Sequence, residues 1–289
     1  MIVVADLLEL RTRAQGWRQG AETIAFVPTM GNLHAGHLSL VEQAHSLADR
    51  VVVSIFVNPL QFGPTEDFDA YPRGLEEDLS KLQTLSVDLV FTPSEESLFP
   101  EGREQQARVM VPIISAELCG ASRPHFFPGI ATAVTKYFNL IQPTVTILGQ
   151  KDYQQCLVIK QLIRDLNMPI ECVIAPTVRE SDGLAMSSRN QYLTSSEREL
   201  APQLYQTLQR IADSVKRAEP GKNLPQLTQS LCRESCFELE KNGFCVDYLT
   251  VRHRHTLNLP SANDSADDLI IAAAAMLGKT RLIDNLLLS

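Results

Sequence analysis

The first two-thirds of the chain alternates between short apolar runs and longer amphipathic segments. Runs of six to nine mostly apolar residues predict strands at 23–29, 50–58, 87–93, 144–149 and 170–178. Apolar residues at helical spacing predict the helices between them, at 37–49, 75–85, 129–141 and 153–167. Because strands that are apolar throughout are typical of parallel sheets covered on both faces, we expect an α/β fold with a Rossmann-like, doubly wound parallel sheet.

The last third of the chain has a different pattern. One long amphipathic helix is predicted at 195–218, opened by a serine cap, and a second helix runs to about Lys241. Gly278 supplies the turn between the last two of three predicted strands, which lie at 244–252, 268–277 and 280–288. These elements indicate a smaller α+β domain at the C-terminus. The predicted domains are the Rossmann-like domain over residues 1–182 and the smaller domain over residues 183–289.

Charge and composition narrow the classes of partner. The 34 acidic and 26 basic residues give a net charge of -8, which repels nucleic acid, so we expect none as a partner. The apolar run at 269–278 is about half of the roughly 20 residues that a membrane-spanning helix needs, so we expect no membrane association. The N-terminus lacks a signal-peptide pattern. The six cysteines form no CxxC pair, which favours reduced thiols in a cytoplasmic protein over a zinc site.

The segment PTMGNLHAGH at 28–37 joins the end of a predicted strand to the start of a helix. In an open parallel sheet, ligands bind beyond the carboxyl ends of the strands, and the unpaired first amides of a helix attract anions. Gly31 and Gly36 leave the backbone open to a bulky ligand, while His34 and His37 can donate to phosphate oxygens from one side. This pattern predicts a nucleotide phosphate site, and two solvated helix-cap histidines are the alternative.

Two later segments carry the same kind of chemistry. In AMSSRN (185–190), two serines precede Arg189, whose guanidinium suits phosphate, and the alternative is a helix N-cap with an exposed arginine. In GQKDYQQ, Gly149 ends a predicted strand and is expected to supply the turn, Lys151 offers a point charge, and Asp152 can accept from ribose hydroxyls. A lysine in such a place is often only solvated. We predict that each segment follows a strand of the same sheet, as part of a βα unit, and that they share one ligand.

The motifs together resemble a known family. HxGH with a later Met-Ser-Ser-Arg is similar to the signatures of the nucleotidyltransferase superfamily, which class I aminoacyl-tRNA synthetases share. Within this superfamily, the whole chain resembles the pantothenate synthetase (pantoate–β-alanine ligase) family. The segments that carry the resemblance are VPTMGNLHAGH, VVVSIFVNPLQF, DAYPR, GASRP, GQKDYQQ, DGLAMSSRNQYL and the closing RLIDN. One departure is HFFPG at 125–129, where the family pattern usually reads Gly-His-Phe-x-Gly. No role is therefore carried over to His125 or Phe126.

The resemblance implies an ATP-dependent ligation. Pantoate would attack the α-phosphorus of ATP, giving pantoyl adenylate and pyrophosphate, and β-alanine would then displace AMP to form pantothenate. Mg²⁺ on the triphosphate and a homodimer are also implied, and no protein side chain is assigned to the metal. The two-domain organisation suggests that the smaller domain closes over the site and excludes water from the reactive anhydride.

The resemblance also implies which residues take part. The catalytic set, which would stabilise charge at phosphorus, comprises His34, His37, Lys151, Ser187, Ser188 and Arg189. The predicted ATP-binding residues are these together with Met30, Gly31, Asn32, Leu33, Ala35, Gly36, Gly149, Gln150, Asp152, Val178 and Met186. Gln61 and Gln155 are predicted to bind substrate, with Gln61 also placed for β-alanine. Candidates for an apolar wall around pantoate are Phe62, Val134 and Val145. Glu77 and Asp78 could bind a metal, but a charged helix face is favoured.

Two other functions stay open on the sequence alone. An adenylyltransferase of coenzyme A or NAD biosynthesis would share HxGH, but it would leave the glutamines of NPLQF and DYQQ without a purpose. A nucleotide-binding regulator without catalytic activity would have no need of both histidines, Lys151 and Arg189. The acceptor that drives pyrophosphate release from ATP discriminates among the three.

Overall fold

The structure of the protein is a computed structural model that describes residues 1–64, 66–217 and 223–288. The chain divides into two compact units. The first contains Met1–Gln150 and Gln154–Pro176, and the second contains Lys151–Tyr153 and Thr177–Ser289. The domain boundary drawn after residue 182 from the sequence stays a prediction. None of the described helices is both long enough and apolar enough to cross a membrane.

A six-stranded parallel sheet forms the centre of the first unit. Its strands are β1 (Ile2–Val4), β2 (Ile24–Thr29), β3 (Arg50–Ile55), β4 (Leu89–Phe91), β5 (Val145–Gly149) and β6 (Glu171–Ala175). Their order across the sheet is β1-β4-β3-β2-β5-β6, and each pairing is parallel. The strands β2 to β6 fall within or overlap the five predicted runs, and the predicted Rossmann-like fold is confirmed.

Helices cover both faces of this sheet. They are α1 (Leu7–Gln19), α2 (Ala35–His45), α3 (Leu75–Thr84), α4 (Glu95–Leu98), α5 (Cys119–Ser122), α6 (Phe126–Ile141) and α7 (Tyr153–Asp165). On one face, Val27 and Val53 belong to a core cluster with Val41 of α2. On the other face, the ring of Phe26 packs edge-on against Tyr137 of α6, with centroids 5.7 Å apart. Successive strand residues are therefore buried on opposite sides, which explains why the strands are apolar throughout.

The second unit contains a three-stranded antiparallel sheet. Its strands are β7 (Phe244–His253), β8 (Leu269–Leu277) and β9 (Thr280–Leu287), in the order β7-β8-β9. Its helices are α8 (Ser195–Leu200), α9 (Gln203–Lys216) and α10 (Leu224–Lys241). The core of the unit joins Leu208 and Ile211 of α9 to Ile271 and Ala273 of β8. The predicted smaller α+β domain is thereby confirmed as a fold.

The prediction of one long helix from residue 195 was wrong. The segment forms α8 and α9, and the break falls at Pro202, which lacks the N–H that a continuous helix would use. The cap is Thr194 rather than the predicted serine: its side chain accepts from the Glu197 N–H, and the Glu197 carboxylate accepts from the Thr194 N–H at 2.8 Å. The predicted helix end at Ala218 lies outside the described residues.

Candidate active site

The two central strands of the parallel sheet place the first candidate segment. β2 pairs with β3 on one side and with β5 on the other, and the chain order reverses between β2 and β5. Phe26 is paired with Thr146, so Thr29 and Gly149, each three residues further on, end their strands at the same edge. The segment 30–37 and Gly149 therefore leave the sheet side by side at the topological switch point, where sheets of this kind bind ligands.

A buried carboxylate shapes the loop between β2 and α2. The Asp78 side chain on α3 is 2% exposed and accepts from the N–H groups of Asn32 and Leu33, both at 2.7 Å. Gly31 has a φ of +82°, and a Cβ there would lie 3.0 Å from Asp78 Oδ2, so the loop requires glycine. The interpretation of Asp78 as part of a charged helix face was wrong, because both its carboxylate oxygens bind the loop.

The two histidines begin α2 and bind its backbone. Nδ1 of His34, the N-cap, accepts from the Gly36 N–H at 3.2 Å, and Nδ1 of His37 accepts from the His34 N–H at 3.4 Å. The two ring centroids are 4.0 Å apart. Because each Nδ1 is an acceptor, the neutral form of each ring carries its proton on Nε2. The pair therefore caps the helix and presents N–H donors of the kind that a phosphate oxygen accepts.

A tight turn brings Gln61 to the same loop. Gln61 ends the 3-10 turn Pro59–Gln61, and its Nε2 lies 2.7 Å from Met30 Sδ. Its Oε1 accepts from Asn58 Nδ2 at 3.3 Å, and Asn58 Nδ2 also donates to the Gly129 carbonyl at 3.1 Å. Two predicted residues, Met30 and Gln61, are thus in contact. Asn58, which is 3% exposed, was not predicted as a site residue, although it lies in the NPLQF motif.

The two glutamines of DYQQ have different roles. Gln154 is buried, and its Nε2 donates to the carbonyls of Ile114 and Glu117 at 2.8 and 2.6 Å. Its Oε1 accepts from the Cys119 N–H at 3.1 Å, so Gln154 fixes the 114–119 segment. Gln155 is half-buried, and no described residue hydrogen-bonds its side chain. The assignment of Gln155 to substrate stays a prediction.

The chain continues from β5 into a 3-10 turn, Gln150–Asp152. A Cβ on Gly149 would meet no heavy atom within 4 Å, and its φ is not in the left-handed region, so glycine leaves open space here rather than making a turn. Lys151 Nζ lies 3.3 Å from Asp152 Oδ2. The Lys151 side chain is 22% exposed, and that of Asp152 is 40% exposed. Both predicted residues are therefore accessible to a ligand.

The AMSSRN segment lies in the second unit and belongs to a hairpin. An antiparallel bridge pairs Arg179 with Ala185, and the Met186 N–H donates to the Val178 carbonyl at 3.0 Å. The prediction that this segment follows a strand in a βα unit was wrong, because the turn at Gly183 (φ +93°) reverses the chain first. Two predicted ATP-binding residues, Val178 and Met186, face each other across the hairpin.

The serine pair begins a short 3-10 helix, Ser188–Tyr192. Ser187 is its N-cap, with Oγ accepting from the Arg189 N–H at 3.3 Å. The Asn190 side chain donates to the Ala185 carbonyl at 3.0 Å and ties the helix to the hairpin. The capping alternative is therefore correct for Ser187, but a hydroxyl that accepts still has its own hydrogen to donate to a ligand.

Lys151 and Ser187 line one small cavity of the second unit. Asn190 and Asp284 are its other polar lining residues. Asp284 is 4% exposed, and burial raises its pKa, although hydrogen bonds from Arg179 and the charge of Lys151 act in the opposite direction. No role was predicted for Asp284, although it lies in the RLIDN motif, because nothing local in the sequence marks its partners.

The departure at HFFPG lies beside a partly buried ion pair. Arg123 Nε and Nη2 donate to the two carboxylate oxygens of Glu66 at 2.6 and 2.5 Å. Burial alone would raise the pKa of Glu66, but these charged hydrogen bonds lower it below its ordinary value. His125 Nε2 lies 3.9 Å from Glu66 Oε1, and its ring packs against Gly63. The displaced histidine therefore supports this loop in the first unit.

The structure narrows the candidates for a metal site and an apolar wall. In the described part of the chain, no group of three or more His, Cys, Asp or Glu side chains is placed to hold a metal ion. Val145 begins β5 and is buried in the core at the far end of the strand from Gly149, so its proposed role in the wall was wrong. Phe62 directly follows Gln61 and is half-buried. It is the better candidate for the wall.

Comparison with known proteins decides the family. The sequence profile of the family described as "Pantoate-beta-alanine ligase" matches residues 2–287. The chain belongs to the pantoate–β-alanine ligase family. A pantothenate synthetase of Shewanella baltica is 51% identical over 286 residues, which cover 99% of both chains. One from Shewanella oneidensis is 50% identical, again over 99% of both chains.

Solved structures of pantoate–β-alanine ligases have the same fold. The enzyme from Thermus thermophilus is 43% identical, with a TM-score of 0.90 over 100% of this chain and 99% of that one. The ligase from Francisella tularensis, complexed with "Beta-gamma ATP and Beta-alanine", is 35% identical. It has a TM-score of 0.78 over 100% of this chain and 98% of its own. The family that the sequence motifs predicted is therefore confirmed.

Proposed function

We propose that this protein ligates pantoate and β-alanine to pantothenate, with ATP as the energy source and pantoyl adenylate as the intermediate. The observation that carries the proposal is membership of the pantoate–β-alanine ligase family over residues 2–287. The related Francisella ligase was crystallised with an ATP compound and β-alanine, which supports both as ligands here. The histidine pair at the switch point of the sheet supplies the phosphate-binding chemistry that such a reaction needs.

The reaction has two steps. In the first, a carboxylate oxygen of pantoate bonds to the α-phosphorus of ATP, and the bond to the β-phosphate oxygen breaks, so pyrophosphate leaves with the electron pair. In the second, the nitrogen of β-alanine bonds to the acyl carbon, the acyl–oxygen bond breaks, and AMP leaves while the nitrogen loses a proton. Neither step needs an enzyme nucleophile, so catalysis depends on positioning the reactants and stabilising charge on the phosphate oxygens.

Residues of both units are proposed to bind ATP. In the first unit, His34 and His37 would donate through Nε2 to phosphate oxygens, and the first amides of α2 would add to this. The loop of Gly31, Asn32 and Leu33 lies beside the two histidines. Its hydrogen bonds to Asp78 would hold this loop in position before ATP binds. In the second unit, we assign charge stabilisation to Lys151, Ser187, Ser188 and Arg189, and binding of the nucleoside to Asp152, Val178 and Met186.

Pantoate presents hydroxyls, a carboxylate and an apolar dimethyl group, and amides beside apolar side chains suit it. We assign Gln61 and Gln155 to its polar groups. The Gln61 amide is oriented by Asn58 and Met30, whereas Gln155 has no intramolecular hydrogen bond among the described residues. Phe62 would contact the methyl groups. From the same position, Gln61 is also proposed to bind β-alanine.

Mg²⁺ is proposed to accompany ATP as its triphosphate complex. Magnesium commonly keeps several waters and binds through substrate phosphates rather than in an all-protein cage. That preference fits the donor set here, since both Asp78 oxygens accept from backbone amides, and Asp152 is the accessible carboxylate among the predicted ATP-binding residues. Bound to the triphosphate, the ion would neutralise part of the negative charge on the phosphates.

A homodimer and a cytoplasmic location are also proposed. Family resemblance supports the dimer, and light scattering should then give twice the 32.1 kDa mass of one chain. A mass of one chain at micromolar concentration would contradict it. The cytoplasm is supported by the cysteines, all six of which are thiols rather than disulfides.

Pyrophosphate release tests the function directly. With the purified protein, ATP and Mg²⁺, we expect pyrophosphate only when pantoate is added, and AMP with pantothenate when β-alanine is also present. Release driven by a phosphorylated acceptor would select an adenylyltransferase instead. Absence of turnover with either acceptor would favour a regulatory nucleotide-binding protein.

A pair of lysine variants tests the assigned site. Lys151→Ala should lower the single-turnover rate of adenylation by about 100-fold or more, since one charge that stabilises a transition state contributes about this much. The matched control is Lys160→Ala, which removes an exposed lysine from α7 and should leave the rate unchanged. Equal rates for the two variants would remove Lys151 from the catalytic set.

A further inference from the structure

Three residues of the second unit form a largely buried polar network that contacts Lys151 and the hairpin before Ser187. Arg179 Nη1 and Nη2 donate to the two oxygens of Asp284 at 2.6 and 2.9 Å. The Asp284 side chain is 3% exposed and that of Arg179 is 17% exposed. A bidentate pair of this kind is geometrically specific, and removal of one partner leaves a buried charge without compensation. The pair is therefore a rigid attachment point on β9.

Asn285, the next residue of β9, extends the network to Lys151. Its Nδ2 donates to the Lys151 carbonyl at 2.9 Å. Its own N–H donates to Asp284 Oδ1 at 2.8 Å, and Asn285 is 3% exposed. The backbone of Lys151 is thus tied to the last strand of the chain, from which it is separated by more than a hundred residues of sequence.

Arg179 also fixes the hairpin that precedes the serine pair. Its Nη1 donates to the Gly183 carbonyl at 3.1 Å, and the bridge to Ala185 begins at its own backbone. The guanidinium lies 3.5 Å from the ring centroid of Tyr205 on α9. A Cβ on Gly183 would come within 2.8 Å of that ring, so glycine lets Tyr205 approach. The position of the hairpin leading to Ser187 therefore depends on Arg179.

We propose that Arg179, Asp284 and Asn285 are positioning residues for adenylation, which hold the Lys151 backbone and the hairpin before Ser187 on one support. The inference rests on the proposed function, because it gives Lys151 and Ser187 a role at the phosphates. These two residues already line one cavity with Asp284, so a small movement of β9 would displace both. A misplacement of about 1 Å can cost on the order of 100-fold in rate without loss of binding.

The first experiment measures pantoate-dependent pyrophosphate release by Asn285→Leu and Asp284→Asn. We expect kcat to fall about 10- to 100-fold while the KM for ATP changes less than about threefold. The control is Asp247→Asn. Asp247 pairs with Arg281, which lies on β9 like Asp284, and its replacement should leave kcat at the wild-type value. Asp284→Asn preserves side-chain size but leaves the Arg179 charge uncompensated, so urea unfolding of each variant is measured beside kcat to show that the protein assayed is folded.

A double-mutant cycle with Lys151→Ala separates positioning from general stability. If Asn285 acts through Lys151, then adding Asn285→Leu to Lys151→Ala should lower kcat less than about threefold further. A full additional loss would overturn the proposal, as would wild-type kcat in both single variants. The proposed function fails separately, if the wild-type protein releases no pyrophosphate with pantoate.

Discussion

At the scale of single residues, Asp78 shows how a buried charge prepares a binding loop. Its carboxylate satisfies two adjacent N–H groups of the loop that leads to His34. The loop thus has its shape without a ligand, so that ordering it on ATP binding costs little conformational entropy. From the sequence, Asp78 is one acid in a run of three on a helix, and nothing local shows that its partners lie in another element.

The first prediction is that Asp78→Asn destabilises the fold. An asparagine can accept from one of the two backbone N–H groups but turns an amide donor toward the other, and one buried unsatisfied donor costs about 1–3 kcal/mol. We expect a loss of that size in the free energy of unfolding by urea, with a higher KM for ATP. Glu77→Gln, next along the helix and 74% exposed, should change either quantity little. Equal urea unfolding midpoints for the wild type and Asp78→Asn would refute the role of Asp78.

The second prediction concerns Gly149. A Cβ at this position would meet no heavy atom of the protein within 4 Å, so Gly149→Ala should leave the melting temperature nearly unchanged. If ATP approaches the backbone here, the added methyl should raise the KM for ATP at least several-fold. Gly16→Ala, at another glycine with open space and ordinary φ, should leave the KM unchanged. An unaltered KM in Gly149→Ala would place ATP elsewhere.

At the scale of elements, the sequence predicts what depends on local pattern. Val51, Val52 and Val53 are all buried, and such runs correctly indicate a parallel sheet. The break before α9 was missed because the apolar periodicity continues across Pro202, so that one proline is outweighed by the pattern on either side. The hairpin that pairs Arg179 with Ala185 was not predicted, because its turn depends on Gly183 rather than on a pattern of alternating residues.

The third prediction concerns the packing of α6 on the turn that carries Gln61. A Cβ on Gly129 would lie 2.2 Å from the Leu60 carbonyl oxygen, so Gly129→Ala must push the helix and the turn apart. We expect a loss of stability of about 1–3 kcal/mol together with a higher KM for pantoate. The pantoate effect follows because Asn58 would lose its bond to the Gly129 carbonyl and release Gln61.

Gly278→Ala is the matched control for this variant. Its Cβ would clash with the Glu197 side chain in the second unit, and its φ of +57° adds strain, so stability should fall comparably. The KM for pantoate should stay near the wild-type value, since neither residue contacts Gln61. A similar rise in KM for both variants would mean that lost stability alone, rather than displacement of Gln61, explains the effect.

At the scale of the whole molecule, the net charge and the candidate site have opposite signs. The chain carries -8, yet the residues assigned to phosphate include Lys151, Arg189 and two N–H-donating histidines. Such a balance disfavours polyanions such as nucleic acid, and a small anion can still bind where donors converge. Family, fold and reaction class were predictable from ordered motifs, whereas the supports of Lys151 were not, because they come from the far end of the chain.

The last prediction tests whether ATP contacts residues of both units. Hydrogen exchange of the intact protein with and without ATP reports each segment separately. We expect slower exchange at 31–37 and at 187–190, by up to about 100-fold when ATP is at 100 times its Kd, because ATP must leave before a bound amide opens. Exchange in α10 should not change, since no assigned residue lies there. Protection confined to 31–37 would limit ATP binding to the first unit and would remove Ser187, Ser188 and Arg189 from the site.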